Sequence, residues 1–156
     1  MQKNGLRLFS VFTLVFFLMS MSAATATAST GGKVSEVTKL DQINAALKKG
    51  PVFLRIGASW CTHCKRFAPT LNQLAKEYAG KVTFLSIDID KSPGLTKYFG
   101  ASVIPDCTVI VGMKNGKYVY MQQNGKTTTI RSNARITRDQ SISVYRKVLN
   151  YAVKKK

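Results

Sequence analysis

The sequence predicts an α/β domain with a central mixed sheet flanked by helices, and three observations carry that prediction. Short apolar, β-branched runs at 52–56, 82–89 and 107–111 alternate with segments whose apolar residues recur every three or four positions. A Cys-x-x-Cys pair, Cys61 and Cys64, stands where the first of these runs gives way to a helical stripe. Asn115-Gly116 then supplies a two-residue hairpin signal between 107–111 and a second strand at 118–122.

Taken in order, 41–50 places Ile43 and Leu47 on one helical face, opens on Asp41 as a capping residue and stops at Gly50-Pro51. Residues 52–56 are mostly apolar and bounded by Pro51 and Gly57, as in a strand buried on both faces. Phe67, Leu71, Leu74 and Tyr78 mark a helix that begins at the cysteines and ends at Gly80, with a kink expected at Pro69. A strand at 82–89 leads through the turn Asp90-Lys-Ser-Pro-Gly94 to a short helix at 95–99. Thr137 with Gln140 three residues on reads as a capping box for a last helix carrying Ile142, Tyr145, Val148, Leu149 and Ala152. Alternating helix and strand up to the hairpin make the sheet parallel in one part and antiparallel at one edge.

The N-terminal residues differ from the rest. Lys3 and Arg7 precede an apolar run from Leu8 to Met21, and small residues follow through Ala28. This is the layout of a secretory signal peptide, with Ala26-Thr27-Ala28 or Ala24-Thr25-Ala26 as the processing site. The run is shorter than the roughly 20 apolar residues of a spanning helix, although retention as an uncleaved anchor leaves the same domain outside a membrane. The expected organisation is a signal peptide at 1–28, a flexible lead-in at 29–39 and one domain at 40–156. Export is expected, to a periplasm, a cell envelope or the medium.

Twenty-four Lys and Arg against seven Asp and Glu give a net charge of +17, which becomes +15 if Lys3 and Arg7 leave with the leader. Such a charge attracts anionic surfaces but reports association rather than fold. The basic residues are scattered without an aromatic-interleaved stripe, so no specific nucleic-acid partner is expected. Nothing in the sequence requires more than a monomer.

Three cysteines and one histidine are too few for a second metal-binding pair, and Lys65 after Cys64 breaks the Cys-x-x-Cys-His haem signal, so no metal and no bound cofactor are expected. In an exported chain the spacing of Cys61 and Cys64 points instead to redox use. Disulfide exchange needs a thiolate, and a helix start offers unpaired N–H groups and a positive dipole end that favour an anion. Cys61 is therefore the expected attacking residue. Cys64, nearly one turn on, is the expected resolving residue. A purely structural bridge between them closes too small a loop to constrain the unfolded chain much. Cys107, in an apolar strand, is either a third redox thiol or a buried small hydrophobe.

Trp60-Cys61-x-x-Cys64-Lys65, Pro69, Glu77-Tyr78 with Gly80-Lys81, Asp90-x-x-Pro93-Gly94 and Ile104-Pro105 together resemble the thioredoxin family in order and spacing over about 40–116. The resemblance implies a thioredoxin fold with Pro105 in the cis form beside the cysteine pair, and a groove shaped by Trp60, Ile104 and Pro105 that takes extended substrate backbone. Two residues depart from thioredoxin itself. Thr62-His63 is similar to the x-His of disulfide isomerases and periplasmic disulfide oxidases, and a histidine beside a thiolate makes the couple more oxidising. Arg55 occupies the place where the family carries a buried aspartate that shuttles a proton. A guanidinium there either stabilises thiolate, with Asp106 as its carboxylate partner, or snorkels out of the strand without meeting the sulfurs.

The expected function is a thiol–disulfide oxidoreductase acting on exported proteins, recycled by a membrane or envelope redox partner. Its alternative is a basic, non-catalytic binding module on the same fold that holds an anionic polymer or an acidic partner.

Overall fold

The computed structural model of the protein describes residues 32–137 and 140–155; the expected signal peptide and the first residues of the lead-in lie outside them. Among the described residues, seven strands form one sheet. β1 (Val34–Glu36), β3 (Thr83–Asp88) and β2 (Val52–Gly57) run parallel, and β4 (Asp106–Lys114), β5 (Lys117–Met121) and β6 (Thr127–Thr128) continue the sheet antiparallel, in the order β1-β3-β2-β4-β5-β6. β7 (Ile136–Thr137) pairs with the first two residues of β4. Asn115 and Gly116, at φ +51° and +72°, make the tight turn between β4 and β5 that their sequence signals.

Among the described residues, four α-helices cover the two faces: α1 (Leu40–Leu47), α2 (Thr62–Glu77), α3 (Pro93–Phe99) and α4 (Ile142–Lys154). Strand alternation decides which face each covers. Leu54 and Ile56 of β2 point toward Ile43 of α1 and Leu95 and Phe99 of α3. Phe53 points the other way, into Phe67 and Leu71 of α2 and Tyr145, Val148 and Leu149 of α4. Tyr145 lies between Phe53 and Phe67, with ring centroids 6.0 and 4.9 Å away. Burying a side chain of this class contributes about 1.5–3 kcal/mol, so these rings fix α2, and with it the cysteines, against the end of β2.

Three expectations need correction. Part of the expected lead-in is β1, an edge strand paired with β3; three residues are too few to show a period in sequence. α1 starts one residue before Asp41, and the side chain of Gln42 accepts the N–H groups of Thr38 and Lys39 at 2.8 and 3.0 Å; Asp41 sits in the first turn, where its charge complements the dipole. Thr137 does not cap α4 either. It is held in β7 opposite Asp106, and the helix begins after Ser141. Pro69 lies within the continuous helix α2, where it removes one N–H from the ladder.

Candidate active site

Cys61 is the N-cap of α2, in extended backbone just before the first helical residue. Its sulfur accepts the N–H of Cys64 at 3.1 Å, one of the donors that a helix start leaves unpaired. The sulfur at the position read as attacking therefore faces the backbone donors at the start of α2. Across from it lies the Ile104 carbonyl, 3.9 Å from the same sulfur. Cys61 and Cys64 pack against Ala58, with Ile89 and Ile104 at the margin, and are unbridged. Cys61 is 6 % exposed and Cys64 3 %, so both residues are nearly enclosed.

The two sulfurs are held differently. Burial pushes the Cys64 thiol above its ordinary value, and its hydrogen bond with Cys61 acts in the same sense. The Ala58 backbone and the positive charge of Arg55 oppose that rise. Cys64 is thus favoured as a protonated thiol until something draws its proton away.

Arg55 is half-buried in the middle of β2. Its Nη1 donates to Ser86 Oγ at 2.9 Å, and the guanidinium lies along the strand over Gly57, where a Cβ would stand 2.5 Å from Nη2. Glycine at 57 is what leaves room for it. The predicted partnership with Asp106 does not form. Antiparallel pairing sets Arg55 opposite Cys107 and Ile56 opposite Asp106, so alternation sends the carboxylate to the other face of the sheet. The ion pairs of the described carboxylates go to Lys91, Arg131, Arg135 and Arg146, and none goes to Arg55.

Around the sulfurs stand the expected groove residues. The Ile104–Pro105 bond is cis. Pro105 is buried and Ile104 half-buried, and Val103 beside them is exposed. Trp60 is 61 % exposed, and its indole Nε1 donates to Asp90 Oδ2 at 2.7 Å. Thr62 and His63 are exposed on the first turn of α2, and His63 Nδ1 accepts from Arg66 Nη2 at 2.6 Å. Cys107 is fully buried in the apolar layer with Phe67 and Tyr145, and burial pushes its thiol far up, so it behaves as a small hydrophobe. Among the described residues, no three His, Cys, Asp or Glu side chains converge as metal ligands would.

Sequence reading missed three site residues. Asp90 was legible as a turn residue but not as the anchor of Trp60. Arg131 and Arg135, which hold Asp106, lie 25 and 29 positions beyond it, and no local pattern announces such a pairing.

Comparison with known proteins agrees with this geometry. The family description Thioredoxin matches residues 33–135. A thioredoxin of Haemophilus influenzae is 36% identical over 83 residues, covering 53% of this chain and 75% of that protein. A chloroplastic M-type thioredoxin of Zea mays is 37% identical over 62 residues, 40% of this chain and 37% of that protein, so the chain spans little more than a third of the maize relative. Among solved structures, chloroplastic thioredoxin z superposes with a TM-score of 0.60 at 18% identity, covering 80% of this chain and 96% of that one. Spinach chloroplast thioredoxin f gives 0.56 at 26% identity, covering 78% and 95%.

Proposed function

The chain belongs to the thioredoxin family, and on that premise we propose that it is a protein thiol–disulfide oxidoreductase working through the Cys61/Cys64 couple. The observation that carries the reading is the start of α2, where Cys61 Sγ receives the Cys64 N–H opposite the Ile104 carbonyl. In the reductive direction the Cys61 thiolate attacks one sulfur of a substrate disulfide. The substrate S–S bond breaks, one substrate sulfur leaves as a thiolate and takes a proton, and Cys61 is joined to the other sulfur. Cys64 then gives up its proton, attacks Cys61 Sγ and closes the Cys61–Cys64 disulfide, releasing the second substrate sulfur as a thiol. Two electrons pass from the dithiol to the substrate, and the same steps in reverse oxidise a substrate dithiol.

Arg55 and His63 set the direction of this exchange. Arg55 opposes the rise of the Cys64 thiol and so favours the reduced, anionic form, which moves the couple toward oxidant, and a histidine between the two cysteines is proposed to act in the same sense. The exposed Trp60 and the Ile104–Pro105 wall receive extended substrate chain. The protein acts as a monomer outside the cytoplasm on disulfides or thiols of exported proteins and is recycled by an envelope redox partner. Lys3, Arg7 and the apolar run after them support that placement, and the net charge of +17 favours contact with anionic surfaces.

Trapping tests the assignment. Cys64→Ser is expected to accumulate a mixed disulfide with a disulfide-bonded peptide, visible by mass spectrometry, whereas Cys61→Ser forms none. Equal trapping by both variants contradicts the division of roles, and activity that survives Cys61→Ser would leave a binding module on this fold.

A further inference from the structure

We infer that Arg131 and Arg135, from the segment between β5 and α4, are positioning residues that hold the Ile104–Pro105 wall of the groove in place for docking of a polypeptide substrate. The inference rests on the oxidoreductase reading and deepens it. Asp106 follows Pro105 directly and is completely buried. Its carboxylate meets Arg131 Nη2 at 2.9 Å and Arg135 Nη2 at 2.7 Å, and Arg131 Nη1 adds a bond to the second oxygen at 3.0 Å. A buried carboxylate is tolerated only with such partners, and bonds between ionised groups are the strong ones.

The same two side chains reach the other end of the wall. Arg131 Nη1 donates to the Phe99 carbonyl at 2.7 Å, in the last turn of α3, and its guanidinium lies 5.8 Å over the Phe99 ring. Arg135 Nη2 donates to Ser102 Oγ at 3.4 Å. Residues 99, 102 and 106 are thus tied to one short stretch that also pairs, as β7, with Asp106 and Cys107.

The wall needs these ties because its own backbone offers little. From 101 to 105, among the described residues, the one hydrogen bond donated to another backbone group runs from Ala101 N–H to the Thr96 carbonyl. The Ile104 carbonyl faces Cys61 Sγ. A displaced wall therefore spoils the presentation of a peptide while leaving the thiols to react with a disulfide that has no backbone to dock. Neither arginine contacts the sulfurs.

The test compares a disulfide-bonded peptide with a small aryl disulfide, dithiobis(nitrobenzoate). Arg135→Gln is expected to lower kcat/KM for the peptide about tenfold, mainly through KM, as misplacement away from the reacting atoms does. The aryl rate and the reduction potential stay within about twofold and a few millivolts of the parent, by the same separation of binding from chemistry. Arg135→Lys restores part of the peptide rate. Arg135→Gln leaves a buried carboxylate short of one partner, so Asp106→Asn with Arg135→Gln, which removes one charge of each sign, is measured beside it and carries the test if the single variant does not fold. Peptide and aryl rates that fall together, or a peptide rate that does not change, overturn the inference. A parent protein that reacts with neither disulfide overturns the oxidoreductase reading instead.

Discussion

A guanidinium whose hydrogen-bond acceptor is the Ser86 hydroxyl, with no carboxylate of the described residues paired to it, keeps its positive charge for the sulfur chemistry beside it. That charge opposes the burial of Cys64 and favours the reduced state of the couple. Arg55→Met is expected to make the pair more reducing by on the order of 30 mV, equivalent to about 1.4 kcal/mol for two electrons. Gly57→Ala is expected to act in the same direction, because the new Cβ meets Arg55 Nη2 and turns the guanidinium away. The double variant adds nothing further if both act through one charge, as a double-mutant cycle in glutathione buffers reads directly. Full additivity, or a shift toward oxidant, contradicts the role given to Arg55. These residues were only partly legible in sequence. The position of Arg55 was visible, but the choice between a buried and an outward arginine depended on Gly57 and Ser86, the second of which lies on another strand.

At the scale of elements, sequence carried the most where one segment has a strong period of its own. The stripe Phe67, Leu71, Leu74 and Tyr78 places α2 directly after Cys61, and Ile142, Tyr145, Val148, Leu149 and Ala152 place α4. It carried least where a few residues are ordered by distant neighbours. β1 is three residues drawn onto β3, and β7 is two residues drawn onto β4. The capping pattern of Thr137 and Gln140 was locally sound and yet lost, since pairing with Asp106 holds Thr137 in the sheet. The same competition hid the partners of Asp106. Its proximity to Pro105 suggested the cysteine side, and strand alternation delivered it to the opposite face. The segment between β5 and α4 is thus the part of the molecule that tertiary pairing, rather than local propensity, organises.

For the whole molecule, buried groups that must stay neutral set the alkaline limit. Burial raises the Tyr118 and Tyr120 hydroxyls from their ordinary 10 to about 12 and raises Cys107 in the same direction. In each case the folded state holds the proton more tightly than the unfolded chain. The contribution of the tyrosines is therefore complete below about pH 9 and is lost as pH rises through 10 toward 12, and that of Cys107, whose ordinary value is 9.0, begins to fall about one unit lower. Thermal unfolding followed from pH 7 to 11.5 is expected to show a falling Tm above about pH 9, with a shallower fall in Cys107→Ala; a Tm that rises over that interval contradicts the assignment. The function of the whole rests on one couple, and the reduction potential of that couple is its defining property. The protein is equilibrated in glutathione buffers and read by the fluorescence of Trp60, its single tryptophan. One two-electron transition is expected, abolished in Cys61→Ser and in Cys64→Ser, with a potential above the about −270 mV of thioredoxin. A pair that does not cycle, or a transition that survives Cys61→Ser, contradicts the oxidoreductase reading.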